Sequence, residues 1–372
     1  MPEHNGRIIL PGFEELSCLL ANNIPYKTSQ RLLGFYCEDK EIISDHSIEN
    51  IAIRRGEDIR KNINENLQNL NPEHDFIPRD NIRKNELPQE IKDGIKDFID
   101  NNTDQRPENL TNADWDRIKY YLNNNDETDI DIFDELSNLG PKPQPGELLI
   151  FIDEILVNNW NKEKYLQHLT GALLTTEGIY YISGENIAEE VEILVNRINP
   201  ESITVIADGA SWITKEIYNG VLKDFKNKRL ILDYYHLQKK CKELLSMVCF
   251  GKSHKNKILV ELMPLLWNGK VQEALNLLEN LRDNCRNKKK LSELIKYITK
   301  RQNTIPNYSD RRKKCLYIGS AIVEKANDLL VARRQKHSSM QWTRKGGDAL
   351  LALKTIQLNK SWDNYWLNDN AA

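Results

Sequence analysis

Three short apolar runs, each followed at once by an aspartate, constrain the fold of this 372-residue chain most strongly. The pairs of run and aspartate are 148–152 with Asp153, 203–207 with Asp208, and 230–232 with Asp233. Short, almost wholly apolar runs are typical of strands covered on both faces, and helical patterns such as 187–198 separate them. The sequence therefore predicts an α/β fold, with a sheet that carries helices on both faces.

The aspartates are predicted to lie at the carboxyl ends of their strands, where open α/β sheets form their sites. A buried carboxylate is costly unless its charge is compensated, and a divalent cation compensates it well. Each aspartate alone could instead cap a loop or a helix. Asp208 precedes Gly209, which allows a sharp turn, and Asp233 precedes His236 by one helical turn. Asp233 and His236 could bind a metal, orient a water or bond to each other.

Charge is distributed unevenly along the chain. Residues 1–208 carry 20 Lys and Arg against 40 Asp and Glu, whereas residues 209–372 carry 32 against 15, so the net charge of −3 conceals two opposite halves. A basic half favours a polyanionic partner such as nucleic acid, although two oppositely charged halves could also simply pack together.

Composition excludes several classes of protein. No apolar run reaches the roughly 18–20 residues that span a bilayer, and the first residues, MPEHNGRIIL, do not resemble a secretion signal. The six cysteines form no C-x-x-C pair, which argues against a disulfide framework and a zinc site. We therefore expect a cytoplasmic protein with no membrane partner and no zinc site.

The patterns divide the chain into three regions. Residues 1–70 are predicted to be helical, with one helix from Ser47 to about Leu70 capped by Asp45 or Ser47. They could form a helix-turn-helix-like DNA-binding region or equally a plain helical bundle. In the first case the phosphate contacts would be Arg54, Arg55, Arg60 and Lys61. Residues 71–147 are predicted to be a variable, loop-rich segment and linker. Residues 148–372 are predicted to be the main domain, which becomes almost wholly helical after His236.

Four stretches carry a family resemblance. IADGASWI and LILDYYHL, followed by IGSAIVEKANDLLVARRQKHSSMQWTRKGGDALLAL and a closing SWDNYW, resemble insertion-sequence DDE transposases of the ISKra type. The match is strong over 203–240 and 316–366, weaker over 1–70 and around Asp153, and poor over 71–147. The most specific motif comprises Gly319, Ser320, Glu324, Asn327, Arg333, Arg334, Met340 and Trp342.

The resemblance implies an RNase H-like catalytic domain, whose mixed sheet has three antiparallel strands and then parallel ones. A helical insertion at about 237–315 would separate the second acid from the third. The catalytic and metal-binding acids would be Asp153, Asp208 and Glu324, and Asp233 and His236 would organise the site, with Asp233 a rival for the second acid. The implied cofactor is a pair of Mg²⁺ ions, or Mn²⁺, that promotes in-line phosphodiester cleavage. The enzyme would cut transposon ends and join them to target DNA, usually as a homo-oligomer.

The basic carboxyl half would then contact DNA. The candidate DNA-binding residues are Arg333, Arg334, Lys336, Trp342, Arg344 and Lys345, with Trp342 able either to stack on an unpaired base or to lie in the core. The chain departs from the family at Glu154, where glycine is usual, and lacks the paired zinc-binding cysteines of longer members. Two alternatives stay open: a truncated, catalytically inactive DNA-binding relic, and an RNase H-like nuclease that does not transpose.

Overall fold

The computed structural model describes residues 3–4, 7–8, 10–78, 141–161, 165–337 and 340–371, together with scattered residues between 93 and 119. Most of the predicted variable segment 71–147 lies outside the described residues. Near the amino terminus, the two-residue strands Glu3–His4 and Arg7–Ile8 pair with each other.

A five-stranded mixed sheet forms the centre of the molecule. Its strands are β1 (Glu147–Asn158), β2 (Tyr165–Leu174), β3 (Ile179–Ser183), β4 (Ser202–Ala207) and β5 (Lys228–Leu232). The spatial order is β3-β2-β1-β4-β5, in which β2 is antiparallel to both of its neighbours, β1 and β3, and β4 and β5 continue parallel to β1. The α/β class predicted from the apolar runs is confirmed, and the sheet is mixed, as the family resemblance implies.

Strand β1 does not end at Asp153, as the apolar run predicted. It continues to Asn158, because it stays paired with β2 after β4 has ended at Ala207. Beyond Asp153 the strand changes from continuous burial to alternating buried and exposed residues, since only one face is still covered. The sequence prediction missed this extension because its alternating pattern differs from the buried run before it.

Helices precede the sheet in the chain. They are α1 (Pro11–Ala21), α2 (Tyr26–Tyr36), α3 (Asp45–Lys61), α4 (Ile63–Gln68) and the single turn α5 (Pro72–Asp75). The prediction of one helix ending near Leu70 is wrong, because the chain breaks at Asn62 between α3 and α4. The cap is also one residue earlier than predicted: the side chain of Ser44 accepts a hydrogen bond from the backbone N–H of Ser47.

The remaining helices follow β3. They are α6 (Ile187–Ile198), a π-helix (Ile213–Val221), α7 (Tyr234–Val248), α8 (Lys252–Trp267), α9 (Val271–Glu279), α10 (Lys288–Arg301), a 3₁₀ turn (Gln302–Thr304), α11 (Tyr308–Lys313), α12 (Ala321–Asn327), a π-helical turn (Asp328–Ala332), α13 (Arg333–Gln335), α14 (Arg344–Leu358) and α15 (Trp362–Ala371). Helices α7–α11 lie between β5 and α12, in the region predicted as an insertion. None of the described helices has both the length and the apolar character needed to cross a membrane.

Each face of the sheet has its own apolar core. Leu148, Ile150 and Ile152 of β1 face α4, α6 and the π-helix. The alternate residues Leu149 and Phe151 face a larger core that includes α1–α3, the helices between β5 and α12, and the carboxyl-terminal helices. Because successive strand residues point to opposite faces, one continuous apolar run supplies both cores.

The amino-terminal helices share the larger core with the carboxyl-terminal helices. Arg55 is buried, donates to Glu14 of α1 at 2.5 Å and lies over the ring of Trp366. Arg60 donates to the carbonyl of Ser183 and pairs with Glu190 at 3.4 Å. The side chains of these two arginines are thus engaged within the protein, as in a plain helical bundle; Arg54 also pairs with Glu14, whereas Lys61 is exposed.

Close packing of α3 against α14 gives a stability prediction. A Cβ at Gly56 would collide with the backbone of Ala349, whereas a Cβ at the exposed Gly12 of α1 would meet nothing within 4 Å. We expect Gly56→Ala to lower the free energy of unfolding by about 1–3 kcal/mol, the usual cost of overpacking. Gly12→Ala, the matched control, should leave it unchanged or raise it by up to about 1 kcal/mol through helix propensity. Urea unfolding followed by circular dichroism measures both, and equal effects would contradict the close helix contact.

Candidate active site at the carboxyl edge of the sheet

A row of polar side chains crosses the sheet at one level. From edge to edge the row consists of Ser183, Thr170, Asp153, Asp208 and Asp233. Thr170 pairs directly with both Asp153 and Ser183. The parallel pairs of β1 with β4 and of β4 with β5 place the three aspartates at equivalent positions, just past the last apolar residues. The register therefore brings together the three acids that the apolar runs singled out.

Asp153 and Asp208 form the centre of this row. Burial raises the pKa of Asp153 above its ordinary value, and the negative charge of Asp208 adds to the increase, although the backbone N–H of Glu154 donates to Asp153 at 2.8 Å and opposes it. Asp208 accepts a hydrogen bond from the backbone N–H of Ala210 at 2.7 Å, across the turn at Gly209, whose φ is +88°. The two carboxylates thus lie within electrostatic range of each other, with incompletely compensated charge.

Asn327 of α12 holds the Asp153 carboxylate in place. Its amide nitrogen donates to Oδ2 of Asp153 at 2.8 Å, and its amide oxygen accepts a hydrogen bond from the hydroxyl of Thr170. Both halves of the amide are used, so its orientation is fixed and α12 is tied to β1 and β2. Sequence reasoning identifies Asn327 as part of the closing motif and gives it no role, because only the fold shows which strand the motif contacts.

Glu324, the predicted third acid, lies on α12 one turn before Asn327 and is exposed. Residues three apart on a helix share a face, so Glu324 and Asn327 project from the same side of α12. In the described part of the chain, no hydrogen bond or ion pair joins Glu324 to Asp153 or Asp208, and no three His, Cys, Asp or Glu side chains are grouped as they would be to hold a metal ion. The structure thus brings two of the three predicted acids together, and the third lies on the helix that Asn327 ties to β1.

The carboxylate of Asp233 accepts hydrogen bonds from several neighbouring groups. It accepts from the backbone N–H groups of Tyr235 and His236, at 2.6 and 2.9 Å, which caps α7. It also accepts from the backbone N–H of Ser320 at 2.5 Å and from the Ser320 hydroxyl. Burial alone would raise the pKa of Asp233, but the bonds from His236 and Ser320 outweigh burial and lower it to about 2. Asp233 therefore fixes the loop before α12, and Asp208 is the better candidate for the second acid.

His236 lies within electrostatic range of the two central acids, Asp153 and Asp208. Its Nδ1 lies 3.4 Å from Oδ2 of Asp233, and this contact raises the pKa of His236, with smaller contributions from the charges of Asp233, Asp208 and Asp153, against the opposing effect of burial. The positive charge of a protonated His236 stabilises the ionised form of Asp153 and so opposes the rise in the pKa of Asp153. The pair Asp233–His236 thus organises the site by position and by charge.

Two of the candidate DNA-binding residues lie in the core. Arg334 is 5% exposed, donates to the carbonyl of Ala21 at 2.7 Å, and lies over the rings of Tyr26 and Trp342, at 5.2 and 4.8 Å. Trp342 is 6% exposed, and its Nε1 donates to the carbonyl of Gln335 at 2.9 Å. The prediction that Arg334 and Trp342 contact DNA is therefore wrong, since both side chains join the amino-terminal helices to the carboxyl-terminal ones.

The other candidate DNA-binding residues remain at the surface. Arg333 pairs with Asp328 at 3.0 Å, and Lys336 is exposed. Arg344 pairs with Asp348 at 3.5 Å and with Glu185 at 3.7 Å, and Lys345 lies 3.6 Å from Glu57 and is 76% exposed. Surface ion pairs of this kind are weak, so these cations stay accessible to a polyanion.

In comparisons with known proteins, no family model and no curated protein matches this chain.

The bonds to Asp233 predict a specific dependence of stability on pH. A carboxylate whose pKa is lowered by folding stabilises the protein above its unfolded pKa, and this contribution disappears as the pH falls toward the folded pKa. For Asp233 the window runs from 3.8 down to about 2. We expect the difference in free energy of unfolding between the wild type and Asp233→Asn to shrink by about 2 kcal/mol across that window.

Urea unfolding at a series of pH values measures this difference. Asp224→Asn, which alters an exposed aspartate of the same chemistry, serves as the control, and its curve should run parallel to that of the wild type. Parallel curves for Asp233→Asn as well would show that the Asp233 carboxylate is not held by the bonds described.

Proposed function

We propose that this protein is a metal-dependent DNA transposase that cleaves DNA at transposon ends and joins the freed strand to target DNA. The observation that carries the proposal is the pair Asp153 and Asp208, two aspartates held side by side, with Asp208 just past the end of β4 and Asp153 at the same level within β1. Their mutual repulsion is offset only in part by His236, and such a pair is suited to a divalent cation.

The arrangement of the sheet supports an RNase H-like catalytic domain. Three antiparallel strands are followed by two parallel ones, as the family resemblance implies, and the helix that carries Glu324 packs against β1 and β2. The helices α7–α11 occupy the position of an insertion between the second and third acids. The order of strands, acids and helices is therefore compatible with the family that the motifs resemble.

The residues at the site fit a hard cation such as Mg²⁺ or Mn²⁺. Carboxylate oxygens are the ligands these ions prefer. Burial, together with the nearby charge of Asp208, raises the pKa of Asp153, so a cation bound there would stabilise its ionised form. Asp153 and Asp208 would hold the ions, and Glu324 would complete the set by turning its exposed side chain toward them from α12. When bound, a pair of such ions activates the attacking oxygen and stabilises the leaving oxygen of a phosphodiester.

The other residues act by positioning. Asn327 restricts the rotation of the Asp153 carboxylate by donating to one of its oxygens. Asp233 fixes the turn at Ser320 from which α12 starts, and thereby the place of Glu324. His236 supplies positive charge beside Asp153 and Asp208 before cations arrive. In this proposal DNA contacts the basic carboxyl half, and the protein acts as a homo-oligomer because two DNA ends must be brought together.

Magnesium should stabilise the protein through the two aspartates. At a concentration one hundred times its Kd, a ligand specific for the folded state raises the free energy of unfolding by about 2.7 kcal/mol. We expect Mg²⁺ or Mn²⁺ to stabilise the wild type on this scale and to leave Asp208→Asn unaffected. In EDTA the variant should be more stable than the wild type, because it removes the repulsion with Asp153.

Glu154→Gln is the matched control for this measurement. Glu154 follows Asp153 directly, points to the opposite side of the strand and bonds to Gln167, so its removal should preserve the effect of the metal. Thermal unfolding with and without the metal distinguishes the variants. Equal stabilisation of all three proteins would show that the aspartate pair is not the metal site.

Activity is tested on DNA that carries the sequences flanking the gene. The transposase should nick and join this DNA in Mg²⁺ or Mn²⁺, and Asp153→Asn, Asp208→Asn or Glu324→Gln should each reduce the rate by at least about a thousandfold, the scale on which removal of a principal charge-stabilising group acts. Glu154→Gln should keep the wild-type rate. Binding without metal-dependent cleavage would favour an inactive relic, and cleavage regardless of the flanking sequence would favour a nuclease.

A further inference from the structure

A small cavity lies directly behind the Asp208 turn. It measures about 250 Å³ and opens between the end of β4, the start of the π-helix and the end of α10. Its polar lining consists of Ser211, Thr214, Lys215, Lys300, Arg301 and Thr304. This volume is below the roughly 300–1,000 Å³ of pockets that enclose a complete small molecule, so the cavity suits one chemical group of a larger ligand.

Three positively charged side chains line the cavity, those of Lys215, Lys300 and Arg301. In the part of the chain that the structure describes, no carboxylate forms an ion pair with Lys215, Lys300 or Arg301. The region 237–315, which supplies two of them, carries 19 Lys and Arg against 7 Asp and Glu. Three like charges around one small cavity repel one another, and an anion placed among them would relieve that repulsion.

Arg301 is held in place by other contacts while its Nε is left without a hydrogen-bond partner among the described residues. Its Nη2 donates to the carbonyl of Gly209 at 2.6 Å, and its guanidinium lies over the ring of Tyr297 at 4.1 Å. Its Nε is buried and has no hydrogen-bond partner among the described residues. A fixed guanidinium with an unused, buried donor beside a cavity is a prepared contact for an oxyanion, because an unpaired buried N–H is costly.

We propose that this cavity binds a phosphate group, and specifically a backbone phosphate of the DNA strand that lies across the catalytic edge. Two cations besides Arg301 and the hydroxyl groups of Ser211 and Thr214 provide more donors than a single carboxylate accepts, whereas a phosphate presents several acceptor oxygens. Because Gly209 follows Asp208 directly, the bound phosphate is a near neighbour of the one at the catalytic site. The choice of DNA as its source rests on the proposed function; the phosphate chemistry does not.

Binding without metal separates this proposal from the catalytic one. Fluorescence anisotropy of a labelled single-stranded oligonucleotide is measured in EDTA for Lys215→Ala/Lys300→Ala. The matched control is Lys223→Ala/Lys289→Ala, which removes two exposed lysines of the same elements or their ends outside the cavity, with the same change in net charge. A second series measures the thermal stabilisation that inorganic phosphate gives to each protein.

The cavity variant should bind the oligonucleotide about tenfold more weakly than the wild type. The slope of log K against log salt should fall by about 0.7, as expected when one phosphate of a single strand is no longer neutralised by the protein. The control should change affinity less than twofold.

Two other outcomes are informative. If the cavity variant is no longer stabilised by inorganic phosphate while its DNA affinity is unchanged, the phosphate site is supported and free phosphate is identified as its ligand. If the cavity variant matches the control in both series, the proposal is overturned.

Discussion

Two carboxylates of like charge, those of Asp153 within β1 and of Asp208 just past the end of β4, are held next to each other on the two central parallel strands. Each lies just past an apolar run that both faces of the sheet bury, so neither strand can shift without exposing a core. The repulsion between them is therefore imposed by the packing of the sheet. Proteins retain such arrangements where the charge serves a bound cation, and the rest of the site is arranged around this pair.

The surrounding structure keeps the pair in place from both sides. Asn327 fixes Asp153 from α12, while Arg301 bonds to the turn that follows Asp208 from α10. The helices between β5 and α12 thus contact this edge of the sheet through Arg301 and through Tyr308, whose hydroxyl donates to the carbonyl of Leu232. The amino-terminal helices contribute from further away, since Arg334 and Trp342 pack on α1 and α2 and hold the segment that follows α12. What sequence patterns suggest are separate regions prove to share one core.

The central features of the site could be predicted from the sequence because they depend on local signals. An apolar run followed by an aspartate indicates the strand and the level of the site, although β1 continues past Asp153 to Asn158. The Asp233-x-x-His236 spacing indicates a helix start with two polar groups on one side. Contacts between distant segments gave no such signal. The burial of Arg334 and Trp342 and the bond from Asn327 depend on which helix packs on which strand. A motif of basic and aromatic residues has the same sequence whether its side chains face DNA or lie in the core. The phosphate cavity likewise depends on α10 meeting the Asp208 turn.

The most direct test of whether Asp153, Asp208 and Glu324 form one metal site is a crystal structure of the wild-type protein soaked in Mn²⁺. Anomalous scattering would locate the metal. We expect two anomalous peaks, one for each Mn²⁺ ion, roughly 3.5–4 Å apart. Oxygens of Asp153 and Asp208 should lie within about 2.0–2.6 Å of them, and the side chain of Glu324 should have turned inward to the same distance. An absence of peaks at this edge, or peaks bound by Asp153 and Asp208 while Glu324 stays in solvent, would contradict the three-acid site.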